Sequence, residues 1–164
     1  MQSTYPRCLM ALAVMALSAC ATLAPGALPP GTPIAEARAS FGGPTGEYPL
    51  PGGGTRLEFA RGAFGRQTYM LDFDASGRLV KSEQVLTEVN FATIQPGMTA
   101  EQVRMRLGRP AQIFYVPWQK LAVWNYRWFQ GDCVWYQISI GESGRVTESG
   151  VGSDPACDVS GPRD

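Results

Sequence analysis

Four thiols and no imidazole set the reactive chemistry of this chain. Cys8, Cys20, Cys133 and Cys157 are its cysteines, and it contains no histidine. Without histidine, the usual Ser/His/Asp and Cys/His arrangements that activate a nucleophile do not form. Two thiols alone do not complete a tetrahedral metal shell. The carboxylates are scattered. Asp72 and Asp74 share a strand face, the spacing a paired acid would need, but the plainer reading is a solvated strand end before a turn. Gly52-Gly53-Gly54 is no phosphate cradle, since no Gly-Lys-Ser/Thr follows. We therefore expect a non-enzyme with no catalytic residues, no cofactor, no metal and no small-molecule substrate. Lys and Arg number 14, as do Asp and Glu, so the chain has no general attraction for nucleic acid.

The thiols separate by position. Met1 to Arg7 carries one positive charge and no acid, and Leu9 to Leu17 is an unbroken apolar run. This is the layout of a secretory signal, and it is too short to span a bilayer. Leu17-Ser18-Ala19-Cys20 follows directly and resembles the lipobox of bacterial lipoproteins. The resemblance implies a signal peptide over residues 1–19 and a lipid-modified Cys20 as first residue of the mature protein. Each buried acyl CH₂ adds about 0.8 kcal/mol, so several chains on one residue anchor firmly. Ala21, rather than Asp, follows Cys20. By resemblance to Gram-negative lipoproteins this implies sorting to the outer membrane, with the domain facing the periplasm. Cys8 leaves with the signal and Cys20 carries lipid. In an oxidising compartment the remaining Cys133 and Cys157 read as a disulfide, whose closed loop would contribute roughly 3 kcal/mol.

Residues 20–30 and their neighbours are rich in Pro and Gly, and read as a flexible tether behind the lipidated cysteine. Residues 152–164 read as a C-terminal tail, which is polar with Gly and Pro and expected to fray over 159–164. Between them the landmarks recur. Gly31, Arg38, Gly42 and Pro44 meet Gly97, Arg104, Gly108 and Pro110 at a shift of 66; Ser76-Gly77-Arg78 meets Ser143-Gly144-Arg145 at a shift of 67. The second copy has the clearer physics. Thr99-Ala-Glu-Gln102 is a capping box, Val103 and Leu107 form an apolar stripe, and Gly108 and Pro110 stop the helix, which predicts a helix over 100–107. Phe91 and Ile94 suggest another turn or two before it. Trp124, Tyr126 and Trp128 alternate with polar residues, as do Val134, Tyr136, Ile138 and Ile140, and 145–151 reads as a third strand. In the first copy 55–60, 66–73 and 78–86 form the corresponding meander.

Ile94-Gln-Pro-Gly-Met-Thr-Ala-Glu-Gln-Val103, Leu107-Gly-Arg-Pro110 and Trp124-Asn-Tyr126, with the Gly turn that follows, resemble the BamE/SmpA (OmlA) domain of small outer-membrane lipoproteins. The match runs over 88–151, and a degenerate copy covers 31–86. The resemblance implies an α+β fold of two repeats, each with short helices packed on a three-stranded antiparallel sheet. Beta-lactamase inhibitory proteins use the same unit twice. The copies are expected to join near Leu86–Thr87, with their sheets continuous or facing. The first copy departs from the pattern, with Thr-Pro for Met-Thr and no Trp.

The aromatic stretch 114–136 offers the main surface. Packing in the core or between repeats is the first reading of these rings, and an external partner the second. Tyr115, Trp118, Trp128 and Trp135 are the candidate partner surface. The leading functional reading is a protein-binding scaffold or accessory lipoprotein at the outer membrane. Its partners would be envelope proteins, the barrel-assembly machinery among them by resemblance. A periplasmic inhibitor-like module that binds an enzyme is the second reading, and an envelope hydrolase the third.

Overall fold

The structure, a computed structural model, describes residues 25–61, 65–129 and 133–154. Helix α1 (Ile34–Phe41) precedes strands β1 (Gly46–Pro49), β2 (Thr55–Arg61), β3 (Gln67–Phe73) and β4 (Leu79–Gln84). Helices α2 (Glu88–Phe91) and α3 (Ala100–Leu107) precede β5 (Gln112–Val116), β6 (Leu121–Phe129), β7 (Cys133–Ile140) and β8 (Val146–Ser153). Each set of strands is an antiparallel meander, in the orders β1-β2-β3-β4 and β5-β6-β7-β8. The α+β class is as expected, but each sheet has four strands, not three. The fourth strands escape sequence patterning for opposite reasons. β1 contains Gly and Pro, and β5 is an apolar run without alternation; their neighbours' registers make them strands.

Alternation decides the layers. Leu57, Phe59, Leu71 and Phe73 point to one side of the first sheet and bury against Ala37 of α1, with Ile34 and Phe41 beside it. The even-numbered neighbours of these residues, Glu58, Met70 and Asp72, point the other way. There the Arg56 guanidinium donates to the Met105 carbonyl of α3, and Met70 joins a core with Val85, Leu86, Val103, Leu107, Trp124, Tyr126 and Ile138. The order is thus α1, first sheet, α2 with α3, second sheet. The sheets are neither continuous nor directly opposed, because the helical layer lies between them.

The two halves repeat their local bonds. Ile34 N–H donates to Gly77 C=O and Ala100 N–H to Gly144 C=O, both at 2.9 Å. Arg78 reaches the Gly31 carbonyl (3.3 Å) as Arg145 reaches that of Gly97 (2.7 Å). The helices stop at Gly42 and Gly108, with φ of 77° and 80°. Register shifts fall at Asp72/Phe73 and at Ser139/Ile140. Pro49 pairs with Thr55 and Tyr115 with Ala122, so the extra residue of the longer offset lies in the turn after β5.

Two expectations about the ends are corrected. Residues 25–30 are not a loose tether. Pro25–Ala27 forms a 3-10 turn, the Ser82 hydroxyl donates to Pro25 C=O, and Leu28 is buried in the first core. An apolar side chain beside an uncovered sheet edge outweighs the Pro/Gly composition. At the other end β8 continues to Ser153, and the buried Asp154 carboxylate pairs with Arg127 at 2.9 Å, so the tail does not begin at 152. Cys20, Cys157 and residues 155–164 lie outside the described residues, and so therefore does the expected Cys133–Cys157 pairing.

Candidate partner surface

The edge strand β5 is positioned by a buried carboxylate. Glu58, fully buried on β2, accepts from the Thr45 hydroxyl (2.8 Å), the Tyr48 hydroxyl (2.6 Å) and the Arg109 backbone N–H (3.1 Å). Arg109 also donates through its guanidinium to the Thr45 carbonyl. These bonds clamp the end of α3 against the first sheet, three residues before β5 starts. Tyr126 donates its hydroxyl to the Gly108 carbonyl (2.9 Å) from the opposite side. Burial, and then the hydrogen bond to Glu58, raises the Tyr48 hydroxyl far above the ordinary phenol range. Burial likewise raises that of Tyr126, with the Glu58 charge adding to it.

From that fixed start β5 runs along the outside of β6. Tyr115 is 64% exposed and Trp118, in the turn Pro117–Gln119, is 82% exposed. Ile113 and Phe114 are also about half exposed, at 50% and 48%, and complete an apolar run on one edge. Sequence reading counted Phe114 only within the broad aromatic stretch 114–136 and left Ile113 out. The missed signal was an apolar strand with no charge beside a turn, which marks an edge only once the neighbouring strands are known.

Trp128 and Trp135 do not belong to this surface. Trp128 is on the helix-facing side of β6, and its ring meets the edge of Phe91 at 5.2 Å between centroids. Trp135 is on the other side but buried, with the Arg127 guanidinium 4.8 Å from its ring centre. Register puts Arg127 beside Trp135, and the ion pair with Asp154 holds it there. Nothing local to Trp135 announces that Asp154 returns to this face.

A cleft of about 590 Å³ lies between the first sheet and α3, lined by Arg56, Lys81, Glu83, Asn90, Gln102 and Arg106 among others. Several of its charges are committed to one another. Arg56 holds Asp72 with two bonds of 2.6 and 2.7 Å, which raises the guanidinium's affinity for its proton. Glu83 accepts from Asn90 (3.0 Å) and pairs with Lys81 (2.6 Å), and these partners, Asn90 first, hold its carboxyl below the ordinary range. Asp74 caps its turn by accepting from Ser76 and Arg78, so Asp72 and Asp74 serve separate partners rather than one site. Among the described residues no three of His, Cys, Asp and Glu gather to hold a metal ion. None of the described helices is long and apolar enough to cross a membrane.

No family model matches the chain, and no curated protein matches it. Among the solved structures similar to this chain are the following two. One is a DUF4309 family protein from Bacillus subtilis, 15% identical, with 75% of this chain covering 79% of that one at a TM-score of 0.30. The other is a cysteine-rich secretory protein from Staphylococcus aureus, 14% identical, with 76% of this chain covering 44% of that one at a TM-score of 0.28. This chain thus spans less than half of the second protein. Likeness at this level carries no argument about function.

Proposed function

We propose that this chain is an outer-membrane-anchored, periplasm-facing lipoprotein that binds other envelope proteins, serving barrel assembly or envelope integrity. It is not an enzyme in this reading. The observation that carries the binding role is the contiguous apolar edge Ile113 to Trp118, since exposed Trp and Tyr are frequent contact anchors. The lipobox carries the anchor. The recurrence of backbone bonds at constant offsets supports a tandem repeat over 31–86 and 88–151, as the BamE-like resemblance implies; the family assignment itself rests on the motif. Four residues separate Cys20 from the packed Pro25, a reach of at most roughly 17 Å, so the lipid would hold the domain close to the bilayer.

Two measurements test the proposal. Cys20→Ser should abolish globomycin-sensitive processing and move the protein from the membrane to the soluble fraction; unchanged processing and fractionation would end the lipoprotein reading. Barrel-assembly components should co-purify with the wild-type protein from intact outer membranes. The inhibitor-like reading draws on a shallow groove of about 350 Å³ on the outer face of the second sheet, lined by Leu121, Val123, Gln137, Ser139 and Glu148 among others. Capture of one periplasmic enzyme, with loss of its activity and no barrel-assembly components, would favour it.

A further inference from the structure

Among the described residues the two sheets have four outer strand edges, and three are blunted. β1 is short, carries Glu47 paired with Arg38 at 2.7 Å, and ends in Pro49. β4 carries Lys81 and Glu83, and the turn at Pro25 lies against it. β8 carries Glu148 and two glycines. Charges, prolines and covering turns are the usual protection of an edge against pairing with another strand. β5, the counterpart of β1, has none of them. Its sequence Gln112-Ile-Phe-Tyr-Val116 is uncharged, lacks Gly and Pro, and is flanked by the exposed Trp118. One half of the molecule therefore shows what a closed edge looks like at this position, and the other leaves it open.

We propose that β5 pairs with β5 of a second copy of this chain, antiparallel about a twofold axis at Phe114. Self-pairing matches the side chains. Ile113 falls opposite the partner's Tyr115, and Tyr115 opposite the partner's Ile113, two β-branched–aromatic pairs of the kind that stabilise antiparallel ladders. Phe114 faces the partner's Phe114, and Gln112 faces the partner's Val116. No charge opposes a charge within the five residues. The nearest flanking cations are already engaged, Arg109 by the Thr45 carbonyl (3.1 Å) and Lys120 by Glu142 (3.3 Å). Each edge residue turned outward gains partners for its backbone N–H and C=O, and the two second sheets become one sheet of eight strands. An isologous contact of this kind closes on itself and leaves no further open edge at β5. The inference deepens the protein-binding reading of this surface by naming its occupant.

The experiment is photocrosslinking in the native envelope with the full chain. Benzoylphenylalanine in place of Phe114 should give a covalent product of twice the protein's mass, and the same probe in place of Glu47 on β1 should not. The purified wild-type protein in detergent should sediment as a dimer. Phe114→Lys, on a half-exposed side chain, should halve that mass while leaving the circular dichroism spectrum of the folded chain in place. A crosslink from position 114 to a different polypeptide would overturn the dimer and keep the protein-contact reading. A monomer in the sedimentation experiment, with no crosslinked product at all, would overturn both.

Discussion

Glu58 is a charged side chain in a place where only complete hydrogen bonding makes a charge tolerable. Its three donors come from the loop before β1, from β1 and from the residue after Gly108, so one carboxylate holds three segments. Removing it takes away the acceptor shared by all three and leaves the half-buried Tyr48 hydroxyl without its partner. Glu58→Ala is expected to cost about 3 kcal/mol, read as a lower denaturant midpoint, and Glu58→Gln less, because an amide oxygen still accepts. Tyr126 is subtler. Tyr126→Phe removes the bond to the Gly108 carbonyl and is expected to cost about 1 kcal/mol at neutral pH. Burial raises the native hydroxyl well above the ordinary value of 10.0, so the unfolded chain ionises first. Stability from this group is complete below that ordinary value and is lost as the pH climbs through it toward the native value. The Phe variant lacks the alkaline loss, so its deficit should narrow above pH 10. A deficit constant from pH 7 to pH 11 would remove burial of the hydroxyl as the cause.

At the scale of elements, the two long helices are the same device under different loads. α3 has a complete capping box, with the Thr99 hydroxyl accepting from Gln102 N–H and the Gln102 side chain accepting from Thr99 N–H. α1 starts after Pro33 with no side-chain cap. Thr99→Ala is expected to lower the melting temperature by an amount equivalent to about 1 kcal/mol. The helix stops differ more. A methyl group at Gly42 would meet nothing within 4 Å and would suffer only from the backbone conformation. At Gly108 it would come within 2.9 Å of both Glu58 and Thr68, in the same conformation. Gly108→Ala should therefore destabilise the fold by about 2 kcal/mol more than Gly42→Ala, measured by chemical denaturation. Equal losses would mean that α3 is not wedged against the first sheet. The capping box, the stripe Val103/Leu107 and both glycine stops were readable in the sequence, because each is set by neighbours within a few residues. β1 and β5 were not, because an edge strand is defined by what pairs with it.

At the scale of the whole molecule, the second core borrows from the first half. Met70, Val85 and Leu86 bury beside Phe91, Val103, Leu107 and Tyr126. A half of roughly 60 residues has too little interior to fold alone, and here it would also lose a shared one. We expect residues 25–86 and 88–154, made separately, to lack the dispersed NMR spectrum of a folded domain, and the whole chain to unfold in one transition. Independent folding of either fragment, or two separate transitions, would contradict the shared core. The outer layers remain the places for partners: the edge β5 and the shallow groove of the second sheet.

Local rules settled much of this protein from its sequence. The position of α3, the glycine stops, the alternation of β6 and β7, and the matching turns at 74–77 and 141–144 all follow from spacings of a few residues. The tertiary structure decided which side of each strand is covered. Trp128 and Trp135 look alike in an alternating aromatic strand. One is claimed by Phe91 on the helical layer, and the other is closed over by an arginine held by Asp154, far along the chain. The same holds for Leu28, drawn from an apparent tether into the first core, and for the helices that separate two sheets expected to meet. Periodicity tells a chain that it has two faces; only the packing of distant segments tells it which face meets water.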